Sequence, residues 1–208
     1  EDVAGGAYYI ASYSWQQDSM YVAKVFNTGV IDNSFGTNGA LLIPLPTTSI
    51  YGNDKGKIHF DNNGDLLVYG SSAATPNHKP ALRKYDMSGN LITSFGTNGV
   101  YIHPTGSRFT HIAENQNGDI YAYGVGSGSV FAVKLNSNGV LDNSFGIAGE
   151  KNYSTTGNSY MFTAPKVYSS SLCNTTPTNI SVVILICPCC LAIKYTSEVT
   201  PSAPKKEA

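Results

Sequence analysis

The chain has 208 residues, of which 13% are charged, and its 13 basic and 14 acidic residues leave a net charge of −1. That balance offers no electrostatic footprint for nucleic acid or for an anionic membrane surface. Asn, Ser, Thr, Gly and Tyr make up the polar content instead, a composition that suits a secreted or cell-surface β protein better than a cytosolic enzyme.

The chain opens on Glu1-Asp2 without Met and without a basic-then-apolar leader, which fits the mature end of a secreted chain as well as an internal start. Gly5-Gly-Ala-Tyr-Tyr-Ile-Ala-Ser12 reads as a strand. The block Lys24-Val-Phe-Asn-Thr-Gly-Val-Ile-Asp-Asn-Ser-Phe-Gly-Thr-Asn-Gly39 follows it. Next come Asn63-Gly-Asp-Leu-Leu-Val-Tyr-Gly70 and the block Lys84 to Gly99, then Asn117-Gly-Asp-Ile-Tyr-Ala-Tyr-Gly124 and the block Lys134 to Gly149. Each block ends in Ser-Phe-Gly-x-x-Gly; Ser94 stands 60 residues after Ser34, and Ser144 another 50 on. Insertions therefore fall between blocks and not inside them. A period of this size means stacked supersecondary units, none able to bury its own apolar face alone.

Leu66-Leu-Val-Tyr69 and Ile120-Tyr-Ala-Tyr123 are β-branched and aromatic runs bounded by glycine and too short for helices. Asn63-Gly64 and Asn117-Gly118 sit where a tight hairpin turn requires positive φ. No stretch carries the apolar spacing of three and four that marks a helix, and 21 Gly with 10 Pro supply the turns. The predicted fold is all-β: repeated antiparallel units of four short strands, over about 1–46, 47–105 and 106–153.

The repeated pattern, Gly-Asp-apolar-apolar-apolar-x-Gly and then Asn/Asp-x-x-Gly-x-Leu/Ile-Asp-x-Ser-Phe-Gly-x-x-Gly, resembles the delta-60 repeat of bacterial secreted and surface proteins. The likeness spans roughly residues 7–153. It implies a β-propeller-like array of four-stranded blades, outside the cell in a bacterium, and brings no catalytic residue with it.

Phe35, Phe95 and Phe145 are expected to point inward between neighbouring units, each burial contributing about 1.5 to 3 kcal/mol. Gly36, Gly96 and Gly146 let the backbone turn beside the ring, and Gly39, Gly99 and Gly149 close the motif. Asp32 and Asp142 stand two residues before the motif serine, but the middle copy has Ile92 there, so a turn-capping role is favoured over shared chemistry.

Two runs, Asp61-Asn-Asn-Gly-Asp65 and Asn115-Gln-Asn-Gly-Asp119, gather oxygen ligands at Asp61, Asn63, Asp65, Asn115, Asn117 and Asp119. Calcium wants six to eight oxygens and these runs offer three side chains each, so the turn reading is preferred and no cofactor is expected. His59, His78, His103 and His111 are scattered and suggest no shared metal. No nucleophile elbow or phosphate loop appears.

The C-terminal part breaks the period. Residues 154–179 read as an irregular Ser/Thr/Asn-rich segment and 200–208 as a disordered tail. Between them, 180–199 is apolar and Cys-rich. Its longest apolar run is interrupted at Pro188, which falls short of a membrane span and suits two buried strands. Leu191-Ala-Ile-Lys-Tyr195 repeats the look of Ala81-Leu-Arg-Lys-Tyr85, as if a fourth unit began and stopped. Cys173, Cys187, Cys189 and Cys190 favour one or two disulfides in an oxidising compartment, with free thiols and a metal as the other readings.

Three and a half blades do not close a ring, for closed propellers use about four to eight. Two functions stay open. One is a non-catalytic binding platform or self-assembling, filament-forming subunit, whose partner is another copy, another β-rich chain or a glycan. The other is a propeller enzyme acting on glycans, a hydrolase or lyase, with Asp65 and Asp119 as its acids.

Overall fold

The period of the sequence is a period of sheets. In the computed structural model, which describes residues 2–3, 6–14, 19–44, 56–72, 78–126, 129–154, 166–167, 183–186 and 191–194, the protein is all-β, with no helix among the described residues. β1 (Asp2–Val3), β2 (Ala7–Ser14), β3 (Ser19–Phe26) and β4 (Ala40–Pro44) form the first sheet. β5 (Lys57–Phe60), β6 (Leu66–Ser71), β7 (Pro80–Tyr85) and β8 (Val100–Ile102) form the second. β9 (Arg108–Glu114), β10 (Ile120–Gly126), β11 (Ser129–Leu135) and β12 (Glu150–Ser154) form the third. Within each sheet the strands lie in chain order and every pair is antiparallel.

The repeat is kept residue by residue. Tyr8 pairs with Val25, Leu66 with Tyr85 and Ile120 with Leu135, so the positions matched by sequence occupy the same rung of each sheet. The strands form no closed barrel or ring among the described residues.

Packing between sheets follows from the two-residue alternation of a strand. All six residues of β6 are buried. Leu66 and Val68 pack with Tyr9, Met20, Val22, Phe35 and Ile43 of the first sheet. Leu67 and Tyr69 pack with Ile112, Ile120, Ala122 and Val133 of the third. The middle sheet is thus apolar on both faces.

The hairpin turns differ from the two-residue turn expected at Asn63-Gly64. Asp61 N–H donates to the Asp65 carbonyl at 3.0 Å and Gly64 N–H to the Asp61 carbonyl at 2.9 Å, which makes a three-residue loop. Gly64, at φ +84°, takes the left-handed position, whereas Asn63 does not. The cause is Asp61, whose Oδ1 accepts the N–H groups of Asn63 and Asp65 and so stabilises the extra residue. Asn115 does the same for Asn117 and Asp119.

The chain divides into two compact parts, Glu1–Asn158 and Ser159–Ala208. In the second, β14 (Val183–Ile186) pairs antiparallel with β15 (Leu191–Lys194), giving the two strands expected on either side of Pro188. β13 (Lys166–Val167) adds to β14 in parallel, unlike any pairing in the first three sheets. The rest of 155–179, the tail 200–208 and all four cysteines, with their disulfide reading, lie outside the described residues. Among the described residues no helix is long and apolar enough to cross a membrane.

Candidate functional site: the corner between sheets

Phe35 and Phe95 are 1% exposed, whereas Phe145 is only partly buried. What covers the first two is the turn of the following sheet. A Cβ placed on Gly89 would lie 3.3 Å from the Phe35 ring, and one on Gly139 would lie 2.8 Å from the Phe95 ring. Both glycines have positive φ, +84° and +73°. Only a residue with no side chain in a left-handed conformation admits the ring so closely.

The backbone completes the contact. Gly36 N–H donates to the Ser88 carbonyl at 2.7 Å, and Gly96 N–H donates to the Asn138 carbonyl at 2.8 Å. Gly36, Gly96 and Gly146 hold φ of +57°, +56° and +65°, with which each corner turns away from its ring. Gly39, Gly99 and Gly149 lie at φ +86° to +87°, facing Ile31, Leu91 and Leu141. Tyr9 meets Phe35 edge-on at 5.4 Å, and Tyr121 meets Phe145 in the same way at 5.9 Å.

Beside each corner a lysine gathers carboxylates. Lys24 pairs with Asp32 at 2.9 Å. Lys134 pairs with Asp142 at 3.0 Å and Asp119 at 3.1 Å. Lys84 faces Ile92 where the others face an aspartate, and it binds Asp61 at 2.6 Å and Asp65 at 3.2 Å. The carboxylate missing from position 92 is replaced by Asp61, whose counterpart in the third sheet is the neutral Asn115. Two carboxylates per lysine are thereby kept in both sheets.

The charges respond accordingly. Burial pulls the Lys84 ammonium down, but Asp61 and Asp65 more than reverse it, leaving a raised pKa. Asp142 is held down at about 2 by the Ser144 hydroxyl and then by Lys134. Asp32 is lowered in the same way by Ser34 and Lys24. The expected capping of the turn is present: Asp32 and Asp142 each accept the backbone N–H of the motif serine at 3.0 Å.

Asp65 and Asp119, the acids of the enzyme reading, are thus each bound to the lysine of their own sheet. Of the calcium reading's oxygens, Asp61 Oδ1 accepts turn N–H groups and Oδ2 binds Lys84, while Asn115 bonds Asn117, Asp119 and, through its amide, the Asp119 carboxylate. Among the described residues no three His, Cys, Asp or Glu side chains are placed to share a metal ion.

One cluster escaped the sequence reading. His103, 2% exposed, lies 2.9 Å through Nε2 from Glu150 Oε2 and 3.0 Å through Nδ1 from the Tyr101 hydroxyl, with the Thr105 hydroxyl 3.1 Å from Nε2. The network assigns a neutral ring with its proton on Nε2, donated to Glu150, while Nδ1 accepts from Tyr101. Burial lowers the imidazole pKa against the opposing pull of Glu150. Burial also lifts the Tyr101 phenol to about 12, with Glu150 adding to it. His103 stands four residues past the motif's last glycine, the place Ile43 fills in the first sheet. A polar residue at an inward apolar position was the available signal.

Further polar bonds join the second and third sheets. Lys57 Nζ donates to the Thr110 carbonyl at 3.0 Å, and Asn62 N–H donates to Glu114 at 2.7 Å. Between the first and second sheets a cleft of about 320 Å³ opens, lined among the described residues by Tyr9, Ala11, Ile58 and Phe60. Comparison with family models and with curated proteins found no match.

Proposed function

We propose that the chain is a non-catalytic repeat protein of the delta-60 kind, working outside a bacterial cell as a self-associating structural subunit whose sheets also offer a binding platform. Its successive sheets are read as blades of a β-propeller-like array. The observation that carries this reading is the corner, built twice from the same parts and supported by ion pairs that neutralise the carboxylates beside it. An acid bound to a lysine in its own sheet is poorly placed to serve as a general acid for a glycosidic bond. The low charge and the Asn, Ser, Thr and Tyr surface support an extracellular location.

The test is turnover. The wild-type protein and the double variant Asp65→Asn/Asp119→Asn are incubated with neutral and acidic polysaccharides, and released ends are measured. Release by neither is expected. Release by the wild type that the double variant abolishes would replace this reading with the glycan-active enzyme.

A further inference from the structure

We propose that Lys84 and Asp61 of the second sheet condense into an intramolecular isopeptide bond, with Asp65 as the proton relay, so that the turn between β5 and β6 is tied covalently to β7. The reacting groups all belong to one sheet, so the inference stands apart from the self-associating reading above.

The parts of an amide-forming site are present together. The nucleophile is Lys84 Nζ, which β7 delivers to within 2.6 Å of Asp61 Oδ2. The electrophile is the Asp61 carboxyl carbon. Its other oxygen, Oδ1, accepts the N–H groups of Asn63 and Asp65 at 2.9 and 2.8 Å, an arrangement that stabilises negative charge developing on Oδ1. The Asp65 carboxylate stands 3.2 Å from Nζ. The turn that carries both aspartates is itself held from the third sheet. Glu114 accepts the Asn62 N–H at 2.7 Å, and the Asn115 carbonyl accepts the Asn62 side-chain amide at 2.7 Å.

Burial supplies what free amines and acids lack in water. The Lys84 and Asp61 side chains are 8% and 3% exposed. Low polarity around them lowers the cost of passing from the charged pair to a neutral amine and a neutral acid, which are the reactive forms. The raised Lys84 pKa means that the pair starts charged. The ammonium passes one proton to Asp61 Oδ2, and the neutral amine attacks the carboxyl carbon. The C–N bond forms as Oδ1 takes up the charge. Asp65 accepts a second proton from the nitrogen and hands it to Oδ2, the C–O bond breaks, and Oδ2 leaves as water. One amide and one water replace one ammonium and one carboxylate, and Asp65 ends as it began. Holding the partners in contact gives an effective concentration of about 10⁵ to 10⁸ M, which favours condensation over hydrolysis.

The other two block lysines show which condition decides. Lys24 pairs with Asp32 alone among the described residues, so a relay is lacking. Lys134 has two carboxylates, Asp119 and Asp142, but these side chains are 22%, 25% and 30% exposed, where hydration keeps the charged forms. Among the three, only Lys84 joins a second carboxylate to a buried reacting pair.

The test is the mass of the full chain, denatured and reduced, with a peptide digest of the same material. The wild type is expected to be lighter than its sequence by one water, and the digest to hold a branched peptide joining Asp61 to Lys84. Lys84→Arg keeps the ion pair but removes the nucleophile, so it should show its full sequence mass. Asp65→Asn keeps amine and acid but removes the relay, and should slow formation by roughly a hundredfold, leaving unlinked chains in fresh material. Should either variant fail to fold by circular dichroism, the wild-type digest still decides. A wild type at its full sequence mass, a water loss that survives Lys84→Arg or maps to another site, or an Asp65→Asn protein linked as fast as the wild type would each overturn the proposal.

Discussion

The joint between the first and second sheets and the joint between the second and third share a corner and differ in the polar bonds around it. Both have a buried Phe on a bare turn glycine and one N–H···O bond of 2.7 or 2.8 Å. Each also has an apolar cluster, around Met20, Ile43 and Leu66 at the first joint and around Leu67, Ile120 and Val133 at the second, and to this the first adds a weak contact from the Tyr9 hydroxyl to Met87 sulfur at 3.8 Å. The second adds His103–Glu150, Lys57–Thr110 and Asn62–Glu114. The comparison teaches which part of the repeat is required. The backbone corner recurs because its geometry leaves no alternative, whereas the surrounding side chains need only fill space and satisfy one another.

Truncating the rings breaks the comparison most severely. Phe35→Ala and Phe95→Ala are each expected to cost about 3–5 kcal/mol, as for other buried aromatics. Phe145→Ala, partly exposed, should cost clearly less. Urea denaturation of the three variants measures this, and equal losses would mean that the corners are not what the two joints share.

The turn glycines sharpen it next. Gly139→Ala meets both the left-handed backbone and the Phe95 ring, for a combined cost of about 2–5 kcal/mol. Gly29→Ala meets the same backbone with open space around it, so only the conformational cost of about 1–2 kcal/mol applies. The difference between the two midpoints reports the joint alone.

A smaller effect distinguishes the two joints by pH. A buried imidazole with a lowered pKa binds fewer protons folded than unfolded, so its contribution is complete above the unfolded value of 6.5 and is lost as pH falls below it. Thermal unfolding from pH 7.5 down to pH 5, a range chosen to bracket about 6.5, should show a falling midpoint. The double variant His103→Ile/Glu150→Val installs the residue types of Ile43 in the first sheet and Val100 in the second at these positions and should make that slope shallower, His111, also lowered by burial, supplying the remainder. An unchanged slope would remove His103 from the account.

The least effect is a gain. Ala148 holds φ +51° where the other two corners place Asn38 and Asn98 at +54° and +53°. Asn tolerates this conformation better than Ala, so Ala148→Asn should stabilise by up to about 1 kcal/mol, read from the denaturation midpoint.

Much of the fold was legible because it repeats. Three copies of one block predict four strands per unit, and in the structure Tyr8, Leu66 and Ile120 share one rung. The turn geometry was not fully legible, since Asn63-Gly64 alone favours a two-residue turn and the extra bond from Asp61 tips it to three. His103 was missed because its partner Glu150 lies 47 residues away, and no local spacing reports a contact between sheets.

The sequence by itself determined the unit: where strands run, where glycine must stand, and that each unit needs a neighbour, all of which follow from local backbone sterics and two-residue alternation. Only the tertiary structure decided how units meet. Which lysine holds which aspartate, why Ile92 is tolerated, and which of three equivalent phenylalanines is left partly uncovered depend on packing between residues far apart in the chain, and local sterics carry no information about that.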